Sequence, residues 1–381
     1  MRIAHIGLTC SFTEHMTYQD NQLSHQNALD GHDVLVVSNA SKYVDGKLVD
    51  TGYEALRLED GVRLIRLPYR KVLCRIVAEK LRAVKGLYNI LDDFKPDVIL
   101  CHGLAYWSVL DVIRYKKNHP EVKLYADTHT SVYNSGRNWV SLNIQHRLLY
   151  RFLTQRALPH LEKYFYVGAI EREFSKENYG VPLEKMEYFP LGGNPPEENE
   201  YMEKRAKRRK ELGLAENELL LLHSGKLDAL KRTAELLKAF AAVPELKAKL
   251  AIIGAIPESE KQTLLPLMEA DPRVIYLGWK QAPELLEYLC ASDLYCQPGS
   301  VSATLQNAVC CGCPVMTYPH LPYTEDLDFG NLLWVKTQED MEAVFRDLAA
   351  KRTNLETLRE GSRRCARELL DYKSLAARLY R

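Results

Sequence analysis

Short apolar runs of four to six residues alternate with polar-faced stretches of helical spacing from one end of the chain to the other. Alternation of this kind predicts βα units and parallel sheets. In the first half the predicted strands are Arg2–Gly7, Asp33–Ser38, Arg63–Leu67, Asp97–Cys101, Lys123–Ala126 and Tyr164–Gly168. The second half repeats the rhythm at Leu219–Ser224, Lys249–Gly254, Val274–Leu277, Leu294–Gln297, Pro314–Tyr318 and Leu332–Val335. Between the two series, residues 190–199 (Pro-Leu-Gly-Gly-Asn-Pro-Pro-Glu-Glu-Asn) read as a linker. The last stretch, Leu369–Arg381, is amphipathic and precedes no strand, so it must pack on something already built. At 381 residues the chain is too long for one core and suits two α/β domains. The pattern divides it into 1–190, 191–368 and a C-terminal helix at 369–381.

Charge narrows the partners. Lys+Arg at 51 against Asp+Glu at 50 leaves +1, so nothing global favours nucleic acid, and no nucleic-acid partner is expected. Six of the cations cluster in Glu203–Leu212, which reads either as a phosphate site or, preferably, as a solvated helix leading into the second sheet. No apolar stretch is long enough to span a bilayer, and the first residues run directly into a strand pattern rather than a signal peptide. The nine cysteines are odd in number and scattered through apolar segments, which favours a reducing cytosol over a disulfide framework. The expected location is the cytoplasm. The 22 tyrosines against 9 phenylalanines give many aromatic positions a polar handle, useful at wet binding surfaces.

A second reading places the chain at the inner membrane face. Tyr69–Leu91 is amphipathic at helical spacing, with Leu73, Ile76, Val77, Leu81, Val84, Leu87 and Leu91 on one face and six cations around it. Such a helix either docks on an anionic membrane surface or covers a sheet with its basic side outward. The basic, apolar stretch Arg147–Leu153 in the same domain adds weight to the membrane option.

The chemistry concentrates at strand ends. Residues 224–232 read Ser-Gly-Lys-Leu-Asp-Ala-Leu-Lys-Arg between a strand and a helix. Gly225 lets backbone approach a ligand, the helix start offers unpaired N–H groups, and Lys226 and Lys231 add point charges for a diphosphate. Solvated surface lysines are the alternative. Cys310, Cys311 and Cys313 tempt a metal reading, but no second Cys or His pair follows at finger-like spacing, so no metal is expected. No cofactor is expected either.

The 224–232 segment resembles the Gly-Arg-Leu…Lys element of retaining GT-B glycosyltransferases of the family-4, group 1 type. Other pieces resemble that family in order and spacing. They are Leu29-Asp-Gly-His-Asp-Val34, Asp97-Val-Ile-Leu-Cys-His-Gly103, Lys123–His129, Tyr188–Gly193, Val274–Pro298, Leu305–Val315 and the terminal helix. The resemblance covers nearly the whole chain. It implies two Rossmann-like domains facing a central cleft, with the acceptor on the first domain and a nucleotide sugar on the second. Lys226 takes the place of the family's diphosphate-holding Arg, and Lys231 falls on its Lys. Gly254 and Gly225 then belong to the nucleotide site, and His129 falls on the histidine that meets the transferred sugar. Asp127 lies two residues before it on the same strand face, and His102 ends the neighbouring strand.

Departures from the family pattern are as informative. Of two glutamates normally eight positions apart, the second is Gln306 and the first is Pro298. The glutamine amide still offers hydrogen bonds to a ribose, and Ser300, Ser302 and Thr304 present hydroxyls to phosphate or sugar. Where relatives often carry paired glycines, this chain has Glu14 and His15, which signify either acceptor specificity or a shifted loop. The reaction expected from the resemblance is transfer of a hexosyl group, with retention, from a nucleoside-diphosphate sugar, uridine-linked by preference, to a glycan or lipid-linked glycan. The alternatives are a sugar-nucleotide epimerase on the same fold and a binding protein that lost activity with its glutamates.

Overall fold

The computed structural model describes residues 1–16, 18–44, 47–71, 75–300, 302, 304–319 and 325–380. The chain divides into two compact units, Met1–Pro190 with Tyr372–Arg381, and Leu191–Asp371. Unit 1 contains β1 (Arg2–Gly7), β2 (Asp33–Asn39), β3 (Ser41–Val44), β4 (Lys47–Asp50), β5 (Glu54–Arg57), β6 (Arg63–Leu67), β7 (Val98–His102), β8 (Lys123–Thr128), β9 (Lys163–Tyr166) and β10 (Met186–Tyr188). Eight of these form one sheet in the order β10-β9-β8-β7-β1-β2-β6-β5, parallel except for β5, which runs against β6. β3 and β4 make a separate antiparallel hairpin.

Unit 2 holds β11 (Leu219–Ser224), β12 (Ala248–Ile253), β13 (Val274–Gly278), β14 (Leu294–Gln297), β15 (Val315–Thr317) and β16 (Leu332–Trp334). They form a parallel sheet in the order β13-β12-β11-β14-β15-β16. Both main sheets are fully buried on their central strands, which is why those strands read as continuous apolar runs rather than alternating ones. In each sheet the order reverses beside the first strand of the unit, between β7 and β1 and between β11 and β14. At such a reversal the flanking loops diverge and leave room for a ligand at the strands' carboxyl ends.

The structure corrects four expectations. β3, β4, β5 and β10 are strands that the apolar pattern misses, being short or largely polar. β9 ends at Tyr166, and Gly168 instead precedes the helix Ala169–Phe174. The predicted helix Tyr69–Leu91 is broken: Arg75–Leu81 stops at Arg82, whose φ is 50°, and a second helix runs from Leu87 to Phe94. Val84, Leu87 and Leu91 point into the core rather than outward, and Leu73 lies outside the described residues.

The fourth correction concerns the C-terminus. Leu369 and Leu370 belong to unit 2, and the returning element is Tyr372–Ala377 rather than a helix from 369. Leu375, Ala376 and Leu379 pack with Ile3, Leu100, Phe165 and Phe189 under the first sheet. Arg378 donates to the Tyr188 carbonyl at 2.7 Å and lies over the Phe189 ring at 4.8 Å.

The cationic run in Glu203–Leu212 lies on the helix Glu198–Glu211 and is only partly solvated. Arg205 and Arg209 reach Asp293 at 2.5 and 2.9 Å, where Arg359 joins them at 3.1 Å. Burial favours the neutral acid at Asp293, but Arg205 and its companions hold the carboxyl below its usual range. Among the described residues no helix is long and apolar enough to cross a membrane.

Candidate functional site

In unit 2 three strand ends meet around Lys231. Gly225 follows β11 with φ 141°, and a Cβ there would lie 2.9 Å from Lys231 Cε. Gly254 follows β12 with φ 148°, and a Cβ there would sit 1.8 Å from the Gly225 carbonyl oxygen. Gly299, after β14, leaves no room either, since a Cβ would lie 2.1 Å from the Leu230 oxygen. Backbone therefore packs on backbone where three side chains would otherwise stand.

Lys231 is 6% exposed and donates from Nζ to the Ser300 carbonyl at 2.7 Å. Its removal from water lowers its pKa, and Asp228 opposes that shift. An ammonium has three donors, so this bond leaves two for an incoming acceptor. Lys226 stands exposed on the same turn, with no carboxylate partner among the described residues.

The predicted hydroxyls sit at the neighbouring strand end. Gln297 Nε2 donates to the Ser300 carbonyl at 2.7 Å and to Ser302 Oγ at 3.2 Å. The buried Tyr295 phenol meets Ser224 Oγ at 3.0 Å. Thr304 begins the helix Thr304–Cys310, and Gln306 on that helix has a buried amide oxygen without a hydrogen-bond partner among the described residues. The structure thus gathers Gly225, Gly254, Lys231, Ser300, Ser302 and Thr304 around one turn.

Two unpredicted side chains shape that turn. Gln297 is one. The other is His223, fully buried on β11, whose Nδ1–H donates to the Cys296 carbonyl at 2.7 Å. Its Nε2 accepts from Thr233 Oγ1 at 2.9 Å, tying the start of the following helix to the sheet. Burial first, then the charge of Lys231, lowers its pKa to about 4, against the pull of the Cys296 carbonyl. A polar residue inside an apolar run was the signal available for both. Cys310, Cys311 and Cys313 are buried in the core, where removal from water raises the pKa of Cys310 and Cys313.

In unit 1 the carboxyl ends of β1, β7 and β8 carry a buried polar chain. His102 Nδ1 lies 2.6 Å from Asp127 Oδ2, His102 Nε2 lies 3.0 Å from His5 Nδ1, and His5 Nε2 lies 2.8 Å from Asn27 Oδ1. Asn27 Oδ1 accepts, so His5 carries its proton on Nε2 and accepts on Nδ1. These proton positions follow from the hydrogen-bond network. Burial opposes charge on His102, but Asp127 raises its pKa. Burial likewise opposes the Asp127 carboxylate, which His102 holds below its usual range, while His5 falls to about 3 through burial and the neighbouring charge of His102.

His129, past the end of β8, is the exposed member, its Nε2 4.0 Å from Asp127 Oδ1. Glu171 was not foreseen. It is 6% exposed, its Oε2 has no hydrogen-bond partner among the described residues, and burial raises its pKa. Nothing in its amphipathic surroundings distinguished it from a helix-surface glutamate.

Glu14 and His15 stand apart from this chain. The Glu14 carboxylate is engaged by Arg66 at 2.9 Å and Lys42 at 3.5 Å, and Arg66 is fully buried. Burial raises the Glu14 pKa, but the hydrogen bonds and charges of its own turn, Arg66 and Lys42 lower it overall. His15 is exposed, in the left-handed region with φ 65°.

Two parallel Rossmann-like sheets, each with polar strand ends at its order reversal, define the GT-B class of glycosyltransferase fold. A sucrose-phosphate synthase from Thermosynechococcus elongatus superposes with a TM-score of 0.62 at 15% identity, covering 99% of this chain and 96% of that one. The Anabaena protein Alr3699/HepE, solved with UDP, superposes at 0.65 with 14% identity, covering 99% and 98%. The profile described as Glycosyltransferase Family 4 matches residues 21–195, and that of Glycosyl transferases group 1 matches residues 204–363. The chain belongs to the group 1 glycosyltransferases and is a glycosyltransferase. A curated relative, N-acetyl-alpha-D-glucosaminyl L-malate synthase of Bacillus anthracis, is 34% identical over 113 residues, or 28% of this chain and 29% of that one. The chain therefore matches less than a third of that relative's length.

Proposed function

We propose that the enzyme transfers a hexosyl group, with retention of configuration, from a uridine-diphosphate sugar to a hydroxyl of a glycan or lipid-linked glycan. The observation that carries this reading is the desolvated Lys231 ammonium beside three glycine-lined strand ends, with Lys226 exposed on the same turn. Together they make a site for two linked phosphates. Likeness to a protein solved with UDP supports the choice of base.

In this reading the lysines neutralise the charge that grows on the departing diphosphate, and no metal is invoked. The acceptor's proton passes to a diphosphate oxygen on the face from which the sugar leaves. Catalysis is then mostly electrostatic stabilisation and positioning. Gln306 supplies its buried amide oxygen to the ribose, and Ser300, Ser302 and Thr304 line the phosphate side. His129 meets the transferred sugar, with Asp127 and His102 behind it. Glu14 and His15 lie on the acceptor side, Glu14 chiefly as the anchor of its own loop.

Lys226→Ala and Lys231→Ala are each expected to slow donor turnover by roughly a hundred- to a thousandfold, the range for removing one charge stabiliser. UDP affinity falls less, and Lys226→Arg is milder than Lys226→Ala because the charge survives. Donor turnover and calorimetric UDP affinity, measured for each variant, test this. Wild-type values for both alanine variants in both assays would place the phosphate site elsewhere.

A further inference from the structure

One helical segment of unit 1 carries a run of exposed apolar side chains. Trp139 is 70% exposed, Val140 59%, Ile144 49% and Leu148 68%. Residues 140, 144 and 148 recur every four positions, so they share one face of the π-helix Ser141–Tyr150. Phe152 extends the stripe into the next helix. The opposite face is buried through His146, Tyr150 and Leu153, so the exposed stripe is held rigidly outward.

Along its own segment the stripe carries charge of one sign, while Glu173 and Glu177 lie on the helix beside it. From 128 to 161 the chain contains no Asp or Glu, but it contains Arg137, Arg147, Arg151 and Arg156. None of the four pairs with a carboxylate among the described residues. They bond instead to neutral groups: Arg147 to Asn178 and Asn143, Arg137 to the Tyr133 carbonyl. Arg156 lies over the Phe152 ring at 4.9 Å. In a chain whose net charge is only +1, this is a strong local excess.

We propose that this face docks on a lipid bilayer carrying anionic headgroups. Trp139, Ile144 and Leu148 enter the headgroup boundary, and the arginines stay at phosphate level. A second copy is the less fitting occupant, because a two-fold contact would set the same four cations against themselves. The inference deepens the proposed function by giving a lipid-linked acceptor its surface, and it rests on that reading only for what the membrane delivers.

The test uses the full chain and vesicles containing no sugar nucleotide and no glycan. One set is phosphatidylcholine alone, and the other mixes it with phosphatidylglycerol. The protein should sediment with the mixed vesicles at low salt, stay in solution with the neutral ones, and be released as salt rises. The triple change Trp139→Ser, Ile144→Ser, Leu148→Ser should weaken binding at least tenfold. Arg137→Glu with Arg156→Glu should do the same, with unchanged circular dichroism as the check on folding. Equal binding by wild type and both variants would overturn the proposal. So would failure of the wild type to sediment, or a concentration-dependent dimer that only the serine variant abolishes. Because no turnover is read, an inactive protein that still binds vesicles would fault the transferase reading alone.

Discussion

Lys231 and His129 differ in how firmly their surroundings hold them. Lys231 is anchored by one carbonyl and three glycines, whereas the His129 side chain is exposed and approaches Asp127 at 4.0 Å. His129→Ala is therefore expected to fold normally and to lower turnover far more than UDP affinity, since its partner is the sugar. Full turnover in that variant would remove His129 from the reaction.

His223 makes a second residue-scale prediction, in stability. Its folded pKa of about 4 lies below the ordinary histidine value of 6.5, so the unfolded chain binds the proton more tightly. Stability is then complete above pH 6.5 and declines as pH falls toward 4. Two and a half units at about 1.4 kcal/mol each give a loss on the order of 3 kcal/mol once both states are protonated. The difference in unfolding free energy between wild type and His223→Gln should shrink by that order on acidification. A constant difference from pH 7 to 4 would contradict it. His5 adds to the same trend, and His102, with its raised pKa, opposes it at higher pH.

At the scale of elements, the strand-to-helix turns decide the site. Gly254 admits the Gly225 carbonyl where a methyl would sit at 1.8 Å, and its φ of 148° also disfavours any side chain. Gly254→Ala must push the Gly225–Lys226 turn away from β12, costing about 1–3 kcal/mol as overpacking does. UDP affinity should fall with the melting temperature. Unchanged affinity in a destabilised variant would mean that the turn is not part of the nucleotide site. The helix Arg75–Leu81 makes the complementary point. The apolar spacing of 69–91 suggested one amphipathic helix, but the chain breaks at Arg82 and turns Val84, Leu87 and Leu91 into the core. Periodicity reports which residues are apolar, not which neighbour they will face.

The whole molecule is threaded so that its last residues complete its first unit. The chain leaves unit 1 at Pro190 and returns at Tyr372. Tyr372, Leu375 and Leu379 are all at least 96% buried. Deleting 372–381 should destabilise unit 1 by on the order of 5 kcal/mol, at about 1.5–3 kcal/mol per large apolar side chain. Calorimetry of the truncated chain should show loss of cooperativity in unit 1 while unit 2 keeps its own transition. A single unchanged transition would refute this.

Most of the architecture was legible without coordinates, because strands buried on both faces must be continuously apolar. Arg2–Gly7, Arg63–Leu67, Leu219–Ser224 and Leu294–Gln297 were read with their observed bounds. The Gly225–Lys231 turn was legible too, since its glycine and lysines are local in sequence. Tertiary structure alone decided the rest. His5, His102 and Asp127 lie on β1, β7 and β8, and only sheet order brings their side chains within hydrogen-bond reach. Glu14 looked available to a sugar until Arg66, 52 positions later, claimed its carboxylate. Burial of Glu171 and exposure of Trp139 likewise depend on what packs beside them. Local spacing determines what each segment is able to form, but charge state, burial and partnership are properties of neighbours distant in the chain.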